Sequence, residues 1–243
     1  MPQRIVVCAV FALIFFGLPS QASMMVYPME TEVGKNGAAQ IKALSQSDEV
    51  QFIKISLKKI INPGTPNEKE IHADISAGES LVVTPQKLAL TAGGERIVRL
   101  VSLAFPEKET TWRVYFESVS ENTFNKANNE KNSENRTAEV GVSIVWGALV
   151  HVAPAESIVS LKYNPGSAEV INEGTIRLPL RELAICNTTG ECSWKKETST
   201  VYPGTTIRLA GMRFSSEIKY RVKYYNWLKN ATEEIELPAN QVN

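Results

Sequence analysis

Val140-Gly141-Val142-Ser143-Ile144-Val145-Trp146-Gly147-Ala148-Leu149-Val150-His151-Val152-Ala153-Pro154 is the stretch that decides the fold. Every even position from Val140 to Val152 is apolar, while the odd positions mix Gly, Ser, Val, Leu and His. A period of two with β-branched enrichment is the pattern of a strand. At about 3.3 Å per residue the run predicts a strand roughly 43 Å long, about twice a usual one. A very polar segment precedes it. The first half therefore reads either as an ordinary core strand or as an edge whose apolar row faces a groove. Exposed apolar edges are normally suppressed because they aggregate. Where one is kept, it serves to capture another strand.

Outward from this run the chain is a series of short apolar segments between turn signals. Towards the N-terminus come Thr111–Val119, Ile97–Leu103, Lys87–Leu90, Leu81–Pro85, Val50–Ile61 and Ala38–Leu44. The segment Asn62-Pro63-Gly64-Thr65-Pro66-Asn67 is a strong turn signal. Glu32 to Gly37 reads as a turn, and Glu121 to Ala138, rich in Asn, Lys and Glu, as a mobile loop. Beyond Pro154 a second series runs through Ser157–Tyr163, Ala168–Ile171, Thr175–Ala184, Thr198–Tyr202, Thr205–Ala210 and Lys219–Trp227. No stretch shows a helical period. Turns recur at the spacing of immunoglobulin-like sandwiches. The predicted class is all-β, with two β-sandwich domains in tandem, residues 23–154 and 155–243.

Hydrophobic residues make up 43% of the 243 and charged ones 21%, which is ordinary for a globular protein. The formal net charge is zero, so no basic field points to nucleic acid. Met1-Pro2-Gln3-Arg4, the apolar run Ile5–Leu18 and then Ser20-Gln21-Ala22 read as a secretory signal peptide, residues 1–22, with Ser23 the first mature residue. Removing it leaves 25 basic against 26 acidic residues. The mature chain then keeps two cysteines, Cys186 and Cys192, flanking a turn-rich loop. In an oxidising compartment the pair predicts a short-loop disulfide.

Catalytic signatures are sparse. The two histidines, His72 and His151, share no His-x-x-x-His motif. The sequence has no Cys-x-x-Cys motif, no Gly-x-Ser-x-Gly elbow and no phosphate-binding glycine loop. Glu233-Glu234 reads as a solvated surface pair. The sequence predicts no enzyme, no metal site and no cofactor.

The combined motifs resemble the periplasmic chaperones of pilus (fimbrial) assembly, in the alternate branch serving colonisation-factor fimbriae of the CFA/I type. They are Val26-Tyr27-Pro28, Gln51-Phe52-Ile53-Lys54-Ile55, Lys58 to Thr65, Val82-Val83-Thr84-Pro85-Gln86-Lys87, Arg99-Leu100, Trp112-Arg113-Val114-Tyr115-Phe116-Glu117 and the run closing at Pro154. The likeness covers nearly all of the first domain and, more loosely, the second. It implies a boomerang of two immunoglobulin-like domains in the periplasm. It implies that the first domain's last strand complements fimbrial major and minor subunits by donor-strand addition, before delivery to an outer-membrane usher. Val140, Val142 and Ile144 are then the subunit-groove residues. A self-capping homodimer is a further possible partner state. An exported β-sandwich fimbrial subunit or adhesin is the first alternative, and an exported β-sandwich enzyme the second. In the best-studied branch an Arg on the first strand and a Lys on the lending strand anchor the subunit's C-terminal carboxylate. Here Met24–Met29 holds no Arg, and the Lys position holds Leu149. The resemblance implies Arg113 as the replacement anchor.

Overall fold

The computed structural model describes residues 24–72, 81–125 and 144–240. The expected signal peptide lies outside these, as do Val140 and Val142. Among the described residues, eighteen strands and one short helix follow one another. In the first half they are β1 (Met24–Tyr27), β2 (Glu30–Val33), β3 (Ala38–Ser45), β4 (Gln51–Ile61), β5 (Lys69–His72), β6 (Leu81–Thr84), β7 (Lys87–Leu90), β8 (Glu95–Ser102), β9 (Thr110–Val119), α1 (Glu121–Asn125) and β10 (Val145–Val152). In the second they are β11 (Leu161–Tyr163), β12 (Glu169–Asn172), β13 (Leu178–Cys186), β14 (Cys192–Lys196), β15 (Thr200–Val201), β16 (Thr206–Arg208), β17 (Lys219–Asn226) and β18 (Ala231–Leu237).

Two β-sandwich units result. In the first, a four-stranded sheet ordered β1-β3-β8-β6 packs on a six-stranded sheet ordered β2-β10-β9-β4-β5, with β7 also paired to β4. Alternation supplies the core between them. Val26, Ile41, Ala43, Val98 and Leu100 from one sheet meet Ile53, Ile55, Trp112, Val114, Phe116, Ala148 and Val150 from the other. Each Val, Ile, Leu or Phe among them, fully buried, contributes about 1.5–3 kcal/mol of transfer free energy. The second unit has sheets ordered β11-β12-β16 and β14-β13-β17-β18 around a separate core that includes Tyr163, Leu178, Leu180, Phe214 and Tyr224. Cys186 and Cys192 face each other in the β13–β14 ladder and form the expected disulfide.

Three expectations need correcting. Glu32 and Val33 belong to a strand, not a turn. The segment β2 pairs in parallel with β10, from Leu149 opposite Glu30 to Val152 opposite Val33. The turn comes later, closed by the Gly37 N–H donating to the Gly34 carbonyl at 2.9 Å. The polar segment after β9 opens with a helix, α1, where only loop was expected. Ser120 caps it: its hydroxyl accepts from the Thr123 N–H at 3.3 Å. Phe124 then packs on Phe52 with ring centroids 4.9 Å apart. The long run is also shorter as an observed strand, eight residues of β10 among those described.

Candidate functional site

The site is built on β10. Its even-numbered residues Ala148, Val150 and Val152 are fully buried in the first core, and Trp146 packs partly against it. Continued by two residues, the row emerges into solvent at Ile144, which is 48% exposed. Val145, on the opposite face, is exposed to the same degree.

The two edges of β10 differ. Along one edge β9 pairs with it antiparallel over the whole strand, from Val145 opposite Glu117 to Val152 opposite Thr110. Along the other, β2 covers only Leu149 to Val152. The last bonds there are Leu149 N–H to the Met29 carbonyl at 2.8 Å and Ala153 N–H to the Val33 carbonyl at 2.9 Å. Among the described residues no strand pairs with Val145–Ala148 on that side. An unpaired edge with apolar residues beside it is chemically suited to accept a further strand, through main-chain hydrogen bonds and alternating side chains.

A cationic group lies on the outward face of the same sheet. Arg113 stands directly across the ladder from Leu149 on β10 and from Lys58 on β4. Tyr115, two residues on, stands opposite Gly147 and Ser56. A Cβ at position 147 would lie 3.0 Å from the Arg113 Cδ and 3.2 Å from the Tyr115 Cε1. The bare glycine therefore leaves room for both side chains to lie across the ladder. In the middle of this group sits the Glu70 carboxylate. It accepts from Arg113 Nη1, from the Tyr115 hydroxyl at 2.7 and 2.8 Å, and lies 3.4 Å from Lys58 Nζ. Burial pushes Glu70 up, but the Tyr115 hydroxyl and the Arg113 charge outweigh it and hold the carboxyl below its usual range.

Two residues further along that face the surface is covered. Thr111 and His151 are buried, and the His151 ring lies 6.2 Å from that of Tyr202 in the second unit. Here a second charged cluster joins the two units. The buried Arg177 reaches Glu109 at 2.9 Å and Glu32 at 2.9 Å, and packs over the Trp227 ring. His151 lies 3.2 Å from Glu30 and 3.4 Å from Glu109. The Trp227 indole N–H donates to Glu109 at 3.0 Å. The His151 ring beside it, helped by the Arg177 charge, outweighs burial and lowers the Glu30 pKa. For Glu109, burial acts to raise the pKa, but His151 and Arg177 more than offset it and leave it lowered.

Of the sequence-predicted residues, Ile144 is at the exposed end of the apolar row, Arg113 is on the sheet face beside Leu149, and the cysteines are remote from both in the second unit. Sequence reasoning missed Glu70, whose hydrogen-bond partners Arg113 and Tyr115 lie 43 and 45 residues away. It also missed the cluster around Arg177. The one available signal was a lone Arg inside Ile176-Arg177-Leu178-Pro179-Leu180, where alternation puts Arg opposite the apolar row.

Comparison with known proteins gives consistent matches. No family model matches the chain. A curated Escherichia coli relative, named as a fimbrial subunit of CFA/I, is 33% identical over 190 residues, 76% of this chain and 78% of the relative. The solved class 5 fimbriae chaperone CfaA is 29% identical with a TM-score of 0.69, over 88% of this chain and 98% of that one. A chain from the chaperone–tip adhesin complex of CFA/I fimbriae biogenesis is 28% identical with a TM-score of 0.70, over 89% and 99%.

Proposed function

The chain belongs to the family of CFA/I-type fimbrial chaperones, and we propose that it captures fimbrial subunits on the open edge of β10, in the periplasm, and passes them to an outer-membrane usher. One observation carries this reading: the apolar row of β10 runs out of its own core at Ile144, beside an edge that β2 leaves unpaired. A subunit lacking one strand of its sandwich gains main-chain pairing from Val145–Ala148 and apolar filling from the row that continues towards Val142 and Val140. The work is non-covalent, and no enzymatic step is involved. Residues 1–22 direct export. Residues 23–154 form the strand-lending domain, and residues 155–243 the second domain.

Arg113 anchors the subunit's C-terminal carboxylate in this reading. Its support is the register: Arg113 stands across from Leu149, the position where the resemblance leads one to expect a Lys. A guanidinium suits the role because its fork pairs with a carboxylate in a plane and fixes register. Co-expression with a CFA/I-type major subunit tests the whole reading. Periplasmic extraction should recover a one-to-one complex, and Ile144→Asp should abolish it. Recovery of the chaperone alone from wild-type co-expression would count against the reading. A fimbrial-subunit function is the second reading, favoured only by the name of the curated relative. Two complete tandem sandwiches, matched over 98% of the CfaA chain, favour the chaperone.

A further inference from the structure

Two arginine–carboxylate pairs have opposite characters. Arg177 and Glu109 are sealed: their side chains are 4% and 0% exposed. Arg113 and Glu70 are open, at 29% and 20%. Glu70 also sits on β5, which ends its sheet and pairs only with β4 among the described residues. None of the four β5 residues is buried. The Glu70 carboxylate can therefore leave Arg113 without disturbing the core.

We propose that Glu70 is a resident carboxylate that occupies the Arg113 site in the free protein and is displaced by the incoming partner's chain-terminal carboxylate. This rests on the reading of Arg113 as the anchor. Capture then becomes an exchange of one carboxylate for another on the same donors: Arg113 Nη1, the Tyr115 hydroxyl and Lys58 Nζ. The exchange gives selectivity. Glu70 is tethered beside its donors, so its effective concentration is high and a carboxylate free in solution competes poorly. A carboxylate borne on a strand already paired with β10 is tethered too, and it competes on equal terms. The site thus rejects small acids and loose peptide ends, and it accepts a chain end only when the strand contacts have also formed. Before capture, the resident carboxylate compensates the cationic group and holds Arg113 and Tyr115 across the ladder over Gly147.

The test uses the full mature chain and sodium acetate as probe, titrated against sodium chloride at constant ionic strength and pH 7. The readout is the 15N resonance of the Arg113 Nε–H, assigned by its loss in Arg113→Lys. Glu70→Gln should bind acetate about tenfold more tightly than the wild type, because the competent fraction of the site rises. Glu70→Asp, one methylene shorter and still charged, should fall between them; it also serves if Glu70→Gln unfolds. Equal acetate affinities in wild type and variants, with Arg113 shifting in all, would overturn the resident role and leave the anchor standing. No saturable Arg113 shift in any of the proteins would remove the anchor reading, and the exchange with it.

Discussion

Arg177 holds Glu109 twice: its backbone N–H donates to Oε2 at 3.0 Å and its Nη1 to Oε1 at 2.9 Å. The two residues belong to different sandwiches, so this pair closes the joint between them. Neither charge can be left alone in a buried site. Removing one partner of such a pair typically costs about 3–5 kcal/mol, because the survivor stays buried and uncompensated. Arg177→Ala should lower stability by about that amount in urea unfolding. It should also separate the transitions of the two units, read by fluorescence in variants that keep Trp112 alone for the first and Trp194 alone for the second of the four tryptophans.

Acid should loosen the same joint. Glu30 and Glu109 both have lowered pKa values in the folded chain. A depressed carboxylate contributes stability that is fully present above its unfolded value of about 4.5 and is lost as pH falls through the folded value. The groups facing one another are Glu30, Glu32, Glu109, Thr111, His151, Arg177, Tyr202 and Trp227. The melting temperature should therefore be flat near neutrality and fall below about pH 4.5. Glu109→Gln should remove part of that acid-dependent fall, measured by calorimetry between pH 7 and pH 3.

The apolar row of β10 should split in its response to charge. Val150 is fully buried and Ile144 half exposed. Val150→Asp places an unpaired carboxylate in the core, at a cost of several kcal/mol, and should unfold the first unit. Ile144→Asp should leave the melting temperature of the free protein within about 2 °C, as surface substitutions usually do. If Ile144→Asp unfolds the free protein as well, the residue is part of the core and the lending role fails.

Gly147→Ala tests the room across the ladder. The added methyl meets the Arg113 Cδ at 3.0 Å, and the flexible side chain gives way before the backbone does. The free protein should lose less than about 1 kcal/mol, because the strand itself gains from alanine. Subunit recovery should fall in parallel with any shift of Arg113. Unchanged recovery with a displaced Arg113 would separate the two.

The disulfide should act on the second unit alone. Cys186 and Cys192 are six positions apart. In the chain-entropy account so short a loop contributes about 2 kcal/mol. Replacing both cysteines by Ser should lower the second transition by that amount and leave the first unmoved. Alkylation of the wild-type mature protein should find no reactive thiol.

What could be seen in the sequence follows how local its cause is. The strand β10 and its core row were legible because alternation acts between residues two apart. The Cys186–Cys192 bridge was legible because its partners flank one short loop. By contrast, β2 was hidden: Glu30-Thr31-Glu32-Val33 has no apolar row. It is a strand because its main chain pairs with β10 and its acids face His151 and Arg177. Local composition cannot report partners about 120 to 145 positions away. Helix α1 is set by the Ser120 cap and by Phe124 on Phe52, one signal too short to read and one too distant. Arg113 stood out in the sequence through its motif, as the expected anchor, while Glu70 did not, because a carboxylate in a charged surface segment looks like any other.

The strand β10 is paired on both sides at one end and on one side at the other. From Leu149 to Val152 it is flanked on both sides and its core row is buried; at Val145 it has a neighbour on one side only, among the described residues. Mechanically this is a beam braced on two sides at one end and on one side at the other, and a load on the singly braced end is carried by the β9 ladder. The doubly braced end holds His151, which touches the Glu30 and Glu109 carboxylates that Arg177 also reaches. The doubly braced half of the strand thus abuts the joint between the sandwiches, while the other half leans on β9 alone among the described residues.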